Sequence, residues 1–302
     1  FLIIMAKISI ATVRALINFL SAPSDLTKVK SNALCRTQLL LEIGLTEFQL
    51  NQSMYLIDSA KYEALFAFAE RELQSNSVGF DFGKAITIDR WGILGYIAFT
   101  SPTLKAALTK QRKYQSLAGN LGTPFSELVN DDLLLKWIPA YHCSHHIVEE
   151  IITGWATLAA KLSQNKIKPK AIYFQHSLKD RLKDSNNNYE EYFGCPVYFE
   201  HDFNGIQINA LSLDVPLMTF DNTINQALCQ QADLILCNRI EQAPIESVTQ
   251  FITNLLPLGV PEIDEAAKLL GLSVRTLQRK LSDNQLTFTA MACAHARPIL
   301  CR

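Results

Sequence analysis

The stretch from Val260 to Leu281 constrains the fold more than any other part of this chain. It reads Val-Pro-Glu-Ile-Asp-Glu-Ala-Ala-Lys-Leu-Leu-Gly-Leu-Ser-Val-Arg-Thr-Leu-Gln-Arg-Lys-Leu. The apolar spacing predicts two short helices joined at Gly271-Leu272-Ser273, the second of them basic. Ala267, Gly271 and Leu277 fall at intervals of four and six. A small residue lets two helices approach, a glycine takes the left-handed conformation that ends the first, and a leucine fills the joint. Ser273 stands where the second helix needs an N-cap. This is the layout of a helix-turn-helix, in which one helix braces and the next enters the major groove.

On the second helix, Val274, Leu277 and Leu281 are expected to face inward. Arg275, Gln278, Arg279 and Ser282 then share the outer face, because residues three and four apart are helix neighbours. Arginine pairs with guanine O6/N7 and glutamine with adenine N6/N7. Lys280 and Thr276 are better placed for phosphate. The plainer reading is a helical hairpin with a solvated basic face. The coincidence of small residue, glycine, serine cap and leucine favours DNA.

The remaining chain sets the frame. Its 302 residues leave room for two domains, and 48% hydrophobic against 19% charged residues is a globular balance. Net charge is −1, so any attraction for nucleic acid must come from a local patch. From residue 261 onward six basic residues face four acidic ones, which gives that tail the sign DNA requires. The seven cysteines (35, 143, 195, 229, 237, 293 and 301) are odd in number and form no CxxC, which points to reduced thiols in a cytosol. The apolar start lacks an initiator Met, and Lys7 and Arg14 interrupt it, unlike a signal peptide. Met5 is a candidate natural start, no run is long enough to span a membrane, and a cytoplasmic location is expected.

Helical spacing runs from residue 6 to about 80, with Ile8–Leu20 amphipathic. In 60–73, Tyr62, Leu65, Phe66, Ala69 and Leu73 share one face, with Asp58-Ser59 at the cap. Leu94–Thr100 reads as a buried strand, and Ser101-Pro102 as the opening of a helix carrying Leu104, Ala107, Leu108 and Tyr114. Phe125–Val129 and Leu133–Ile138 read as strands about an Asn130-Asp131 turn. His146–Leu162 is predicted helical, Ala171–His176 a strand, Asn186–Asn188 a loop and Tyr189–Phe193 a short helix. Val197–Glu200 and Gly205–Asn209 are further strands, Asn238–Pro244 a linker and Ile245–Leu256 a helix. The fold class expected is α+β: a helix-rich N-terminal α+β effector domain, then an incomplete all-α helix-turn-helix domain. The boundaries are 6–237 and 245–302.

Leu272-Ser-Val-Arg-Thr-Leu-Gln-Arg-Lys-Leu-Ser282, followed by Leu286-Thr-Phe-Thr289, resembles the first recognition helix of AraC/XylS-family bacterial transcription regulators and its sequel. Leu94-Gly-Tyr, Ser101-Pro-Thr-Leu-Lys-Ala-Ala-Leu108, Tyr192-Phe-Gly-Cys-Pro-Val-Tyr-Phe199 and Leu211-Ser-Leu-Asp-Val-Pro-Leu217 resemble the arabinose-binding-type (OruR-like) N-terminal domain of one subgroup. The resemblance implies a regulator that senses a small-molecule effector or dimerises through its first domain and binds promoter DNA through its second. It carries DNA reading to Arg275, Gln278 and Arg279, with Ser273, Thr276 and Lys280 in support. The effector stays unassigned, and the domain's name does not make it arabinose. Family members carry a second helix-turn-helix. Here 291–302 departs from the pattern and Pro298 is expected to break the joining helix. The resemblance therefore implies a C-terminally truncated reader of impaired affinity, or a truncated ligand-binding or dimerisation protein without operator binding.

Other motifs carry less. Within 141–149, His142, Cys143, His145, His146 and Glu149 are metal-ligand types, but no second pair with finger-like spacing completes a site, so no metal is expected. Trp91-Gly-Ile-Leu-Gly95 lacks the lysine and spacing of a phosphate loop. Trp137 and Trp155 suggest core, with one of them a candidate wall of an effector pocket. No nucleophile or paired acid/base motif appears, so neither catalysis nor a cofactor is expected.

Overall fold

The computed structural model describes residues 6–22, 33–52, 56–178, 189–242, 244–255, 259 and 261–300. The chain opens with strand β1 (Lys7–Ser9) and helix α1 (Ile10–Ser21). The Ser9 hydroxyl accepts from Ala11 N at 3.2 Å and caps α1, which buries Ile10, Val13, Leu16, Ile17 and Leu20. Helices α2 (Arg36–Glu42) and α3 (Glu47–Leu50) lead to β2 (Leu56–Asp58), which pairs antiparallel with β1 through Ile8 and Ile57. Helix α4 (Ser59–Leu73) follows, capped by Asp58, with Tyr62, Leu65, Phe66 and Ala69 buried along the predicted face.

Next come α5 (Val78–Lys84), a 3-10 turn (Ile88–Trp91), α6 (Ile93–Phe99) and α7 (Leu104–Tyr114). A five-stranded sheet is built from β3 (Gly122–Val129), β4 (Asp132–Pro139), β5 (Pro169–Tyr173), β6 (Val197–Tyr198) and β7 (Asn204–Asn209). Helices α8 (His145–Leu162) and α9 (Tyr189–Phe193) interrupt it in sequence. The strand order is β3-β4-β7-β5-β6, antiparallel except for the β5–β6 pair. Asn130, at φ 56°, turns the β3–β4 hairpin. Alternation in β4 buries Leu133, Leu135 and Trp137, and Leu133 and Leu135 sit opposite Ile208 and Ile206 of β7. The remaining helices are α10 (Asn222–Gln242), α11 (Pro244–Leu255), α12 (Ile263–Leu269), α13 (Val274–Ser282) and α14 (Phe288–Leu300).

Helix α8 is the spine of the larger core, and α5 lies directly on it. Gly79 and Gly83 make that approach: a Cβ on them would stand 2.1 Å from the His146 carbonyl oxygen and 2.5 Å from Thr153 Cβ. The 3-10 turn is tied to the same helix by charge. Arg90 and Glu150 are both fully buried, and Arg90 Nη2 donates to Glu150 Oε1. Arg90 Nη1 donates to the Phe82 carbonyl at 3.2 Å, and its guanidinium lies 3.8 Å from the centre of the Phe82 ring. The Thr12 hydroxyl of α1 donates to the Arg90 carbonyl at 2.9 Å. Burial pushes the guanidinium pKa down to about 10, which leaves it charged at neutral pH.

Two other clusters complete the interior. Ala232 and Leu236 of α10 pack on Leu94 and Ile97 of α6 and on Tyr114. Asn225 donates to the Ile97 carbonyl at 2.9 Å, and Tyr114 OH to Asp233 at 3.0 Å. Val248, Phe251 and Ile252 of α11 join Ala266, Ala267, Leu277, Leu281 and Phe288 in a separate cluster.

Several sequence expectations change. Leu94–Thr100 is not a strand: Leu94 and Ile97, three apart, bury one face of α6. A short apolar run fits either state by pattern, and the partner decides. Pro102 lies before the helix rather than in its first turn, since Thr103 caps α7 by accepting from Ala106 N at 3.3 Å. The stretch 6–80 is interrupted by β1 and β2. Asn238–Gln242 continues α10 instead of forming a linker, and Arg239 donates to the Ser116 carbonyl at 2.9 Å. Helix α14 runs to Leu300 without a break at Pro298. The Asn186–Asn188 loop, Leu256, Arg302 and the candidate start Met5 lie outside the described residues. No described cysteine is paired, and no helix among the described residues is long and apolar enough to cross a membrane.

Replacing Arg90 by alanine would strand the Glu150 carboxylate in the core. The expected loss is about 3–5 kcal/mol, whereas the double variant Arg90→Met, Glu150→Leu should lose much less. Urea unfolding of the three proteins checks this. A loss under about 1 kcal/mol for Arg90→Ala would show that the pair is not a buried one.

Candidate functional site

Helices α12 and α13 meet at a turn with a defined hydrogen-bond pattern. Leu272 N donates to the Ala267 carbonyl at 2.8 Å and Gly271 N to that of Lys268 at 3.3 Å, with Gly271 at φ 67°. This six-to-one and five-to-two pairing ends a helix at a left-handed residue. The Ser273 hydroxyl then accepts from Thr276 N at 3.1 Å and caps α13. Leu277 and Leu281 are buried beneath that helix, Val274 is half-buried, and Ala266 and Ala267 face them from α12.

The outer face of α13 is polar. Arg275, Gln278, Arg279 and Ser282 are exposed, and Lys280 and Thr276 are half-buried at its sides. The structure thus brings the six sequence-selected residues onto one short helix and its cap. Thr276 is engaged in the cap as well: its hydroxyl lies 2.8 Å from that of Ser273.

A second feature lies inside the larger core. A cavity of about 170 Å³ sits between the sheet face, carrying Leu135, Trp137, Ile206 and Ile208, and helices α6, α7 and α8. Its wall is mostly apolar, with Thr12, Gln111, Gln115 and Glu150 supplying polar groups. Trp91, Trp137 and Trp155 all line it, and these are the three tryptophans of the chain. Pattern alone suggested one tryptophan at a pocket and missed Arg90, Glu150, Thr12 and the glutamines. Nothing in local periodicity marks a buried ion pair between residues sixty apart.

A larger hollow of about 680 Å³ adjoins this cavity, shares Gln111, Gln115 and Trp155 with it, and is bounded across the gap by Pro261 and Glu265. Beside it Arg112 of α7 pairs with Glu265 of α12 at 2.8 Å. Both side chains are about half exposed, so the pair contributes at most about 1 kcal/mol and can be exchanged cheaply.

The histidine-rich segment serves packing. His146 accepts from Gly79 N at 3.3 Å through Nδ1, lies 3.3 Å from Glu70 through Nε2, and stacks on Phe66. His145 turns to the Asn76 carbonyl at 3.2 Å. Glu149 instead meets His176 at 2.9 Å and Tyr189 OH at 3.1 Å. Cys143 is half-buried and its thiol is pushed up to about 12 by desolvation, which keeps it protonated. Among the described residues no group of three or more such side chains could hold a metal ion.

Residues 34–217 match the model of the arabinose-binding N-terminal domain of AraC transcription regulators. The chain belongs to that family. It is 23% identical over 218 residues to the ornithine utilization regulator of Pseudomonas aeruginosa, a match covering 70% of this chain and 62% of that protein. The chain thus spans less than two thirds of the length of the regulator it matches. It also aligns with the crystal structure of the transcriptional regulator CdpR from Pseudomonas aeruginosa at 16% identity and a TM-score of 0.46. That alignment covers 84% of this chain and 79% of the other. The matched domain contains most of the cavity wall and ends before α12.

The joint between α12 and α13 is testable through Gly271. An added Cβ there meets nothing within 4 Å, so only the positive φ resists substitution. Gly271→Ala should cost about 1 kcal/mol and Gly271→Asn less. Amide exchange across 266–281 should quicken about fivefold for alanine, on the usual conversion of 1 kcal/mol. Asparagine proving worse than alanine would contradict the left-handed turn.

Proposed function

We propose that this protein is a transcription regulator that reads promoter DNA with α13 and answers a small-molecule effector held in its N-terminal part. In this reading residues 6–237 bind effector or a second copy of the chain, and residues 245–302 carry the helix-turn-helix. Arg275, Gln278 and Arg279 contact base edges, while Lys280, Thr276 and the capped N-terminus at Ser273 contact phosphate. The protein works in the cytoplasm, without a cofactor and without catalysis.

One observation carries the reading. Arg275, Gln278 and Arg279 stand exposed on a helix whose opposite side is locked by Leu277, Leu281 and the capped turn. Their side chains make no hydrogen bond or ion pair with another described residue, which leaves them available to a groove. Family membership supports the regulatory class, and the matched relative is named as a regulator of ornithine utilization. The route from effector to DNA runs along α7, which lines the cavity with Leu104, Ala107 and Gln111 and reaches α12 through Arg112 and Glu265. An effector shifts DNA affinity only by as much as it prefers one arrangement of that contact over the other.

Selection from a pool of randomised duplexes tests the proposal. The protein should enrich a discrete sequence. On it, Arg275→Ala and Arg279→Ala should each lower affinity about tenfold or more, with relaxed preference at one base position. Lys280→Ala should weaken all duplexes alike and reduce the salt slope by about one. No enrichment by the wild-type chain, with effector binding intact, would replace this reading by that of a ligand-binding or dimerisation protein.

A further inference from the structure

We infer that the cavity between the sheet and helices α6, α7 and α8 takes a compact, uncharged aromatic molecule with one or two O–H or N–H donors, of the phenol or indole class, and not a sugar or an amino acid. This rests on the effector reading above and specifies its ligand.

Size comes first. An apolar cavity of about 150 Å³ holds benzene, and this one measures about 170 Å³. It has room for a single ring with a small substituent or for one small fused pair of rings. Charge comes next. No Lys, Arg or His is among the described residues that line the wall, so a carboxylate or phosphate would be buried without a counterion. Glu150 is the one acidic group among the described wall residues, and Arg90 already neutralises it. A second cation, such as an amino acid's ammonium, would compete with a buried guanidinium for that carboxylate.

Polarity separates the remaining classes. The polar wall groups are few: Thr12, Gln111, Gln115 and Glu150. The Thr12 hydroxyl spends its proton on the Arg90 carbonyl, and the Glu150 carboxylate is an acceptor. Both therefore ask the ligand for a donor. A pentose carries four hydroxyls that each need partners, and unpaired ones cost about 1–3 kcal/mol apiece. A phenol or indole needs one or two partners and presents its ring to the remaining wall. Three indoles, Trp91, Trp137 and Trp155, supply aromatic surface for that ring.

Because every tryptophan of the chain lines the cavity, intrinsic fluorescence reports its occupancy. The probe is para-cresol, with arabinose and ornithine as comparators, titrated into the full chain alongside thermal melts. The expected result is a saturable, one-to-one change in tryptophan emission with para-cresol and a rise in melting temperature, with neither change from the comparators. Ala159→Phe, which fills the wall beside Trp155, should abolish the emission change while far-UV circular dichroism stays unchanged. Wild-type protein decides the matter even if that variant misfolds. A flat response to para-cresol, or saturation by arabinose or ornithine, would overturn the assignment. Duplex binding is read separately. A chain that binds para-cresol one-to-one but enriches no duplex supports the cavity assignment and removes the regulator reading.

Discussion

The N-terminal architecture depends on one buried ion pair. Arg90 and Glu150 sit out of solvent between the 3-10 turn and α8, and either charge alone would carry a penalty of several kcal/mol. The surrounding elements converge on the arginine. The Phe82 carbonyl and ring bring in α5, and Thr12 brings in α1. The two close glycines of α5 then allow that helix to lie against α8. Such a pair adds little net stability over an apolar substitute, but removing one partner strands the other charge in the core. It also explains how a carboxylate can stand at the wall of an apolar cavity: its charge is balanced behind the wall.

One helix links that cavity to the α12–α13 unit. Helix α7 lines the cavity on one side and touches α12 at its basic end. Helix α10 packs across α6 and Tyr114 and runs on toward α11, whose Val248, Phe251 and Ile252 form the floor beneath α12 and α13. The contact between α7 and α12 is an exposed ion pair. An interaction of about 1 kcal/mol or less is the kind that a ligand with a modest preference for one arrangement can shift.

Legibility in the sequence followed the range of the interactions. The turn at Gly271, the Ser273 cap and the Leu277–Leu281 face were readable because each is set within a few residues. So were the β3–β4 hairpin at Asn130 and the capped start of α4 at Asp58. The strand expected at 94–100 is a helix because α10, more than a hundred residues later, supplies the surface that Leu94 and Ile97 bury against. The linker expected at 238–244 is mostly helix for a related reason: Arg239 reaches back to the Ser116 carbonyl and holds the last turns of α10 in place. The cavity was least legible. Its wall gathers residues from Ile8 to Leu217, and only the tryptophans hinted at it.

The proposed DNA-binding surface is α13. Amide hydrogen exchange on the full chain, free and bound to its selected duplex, tests it most directly. Slowed exchange concentrated in Val274–Ser282 and at the capped turn before it is the predicted result. Unchanged exchange there, with protection confined to other elements, would contradict it.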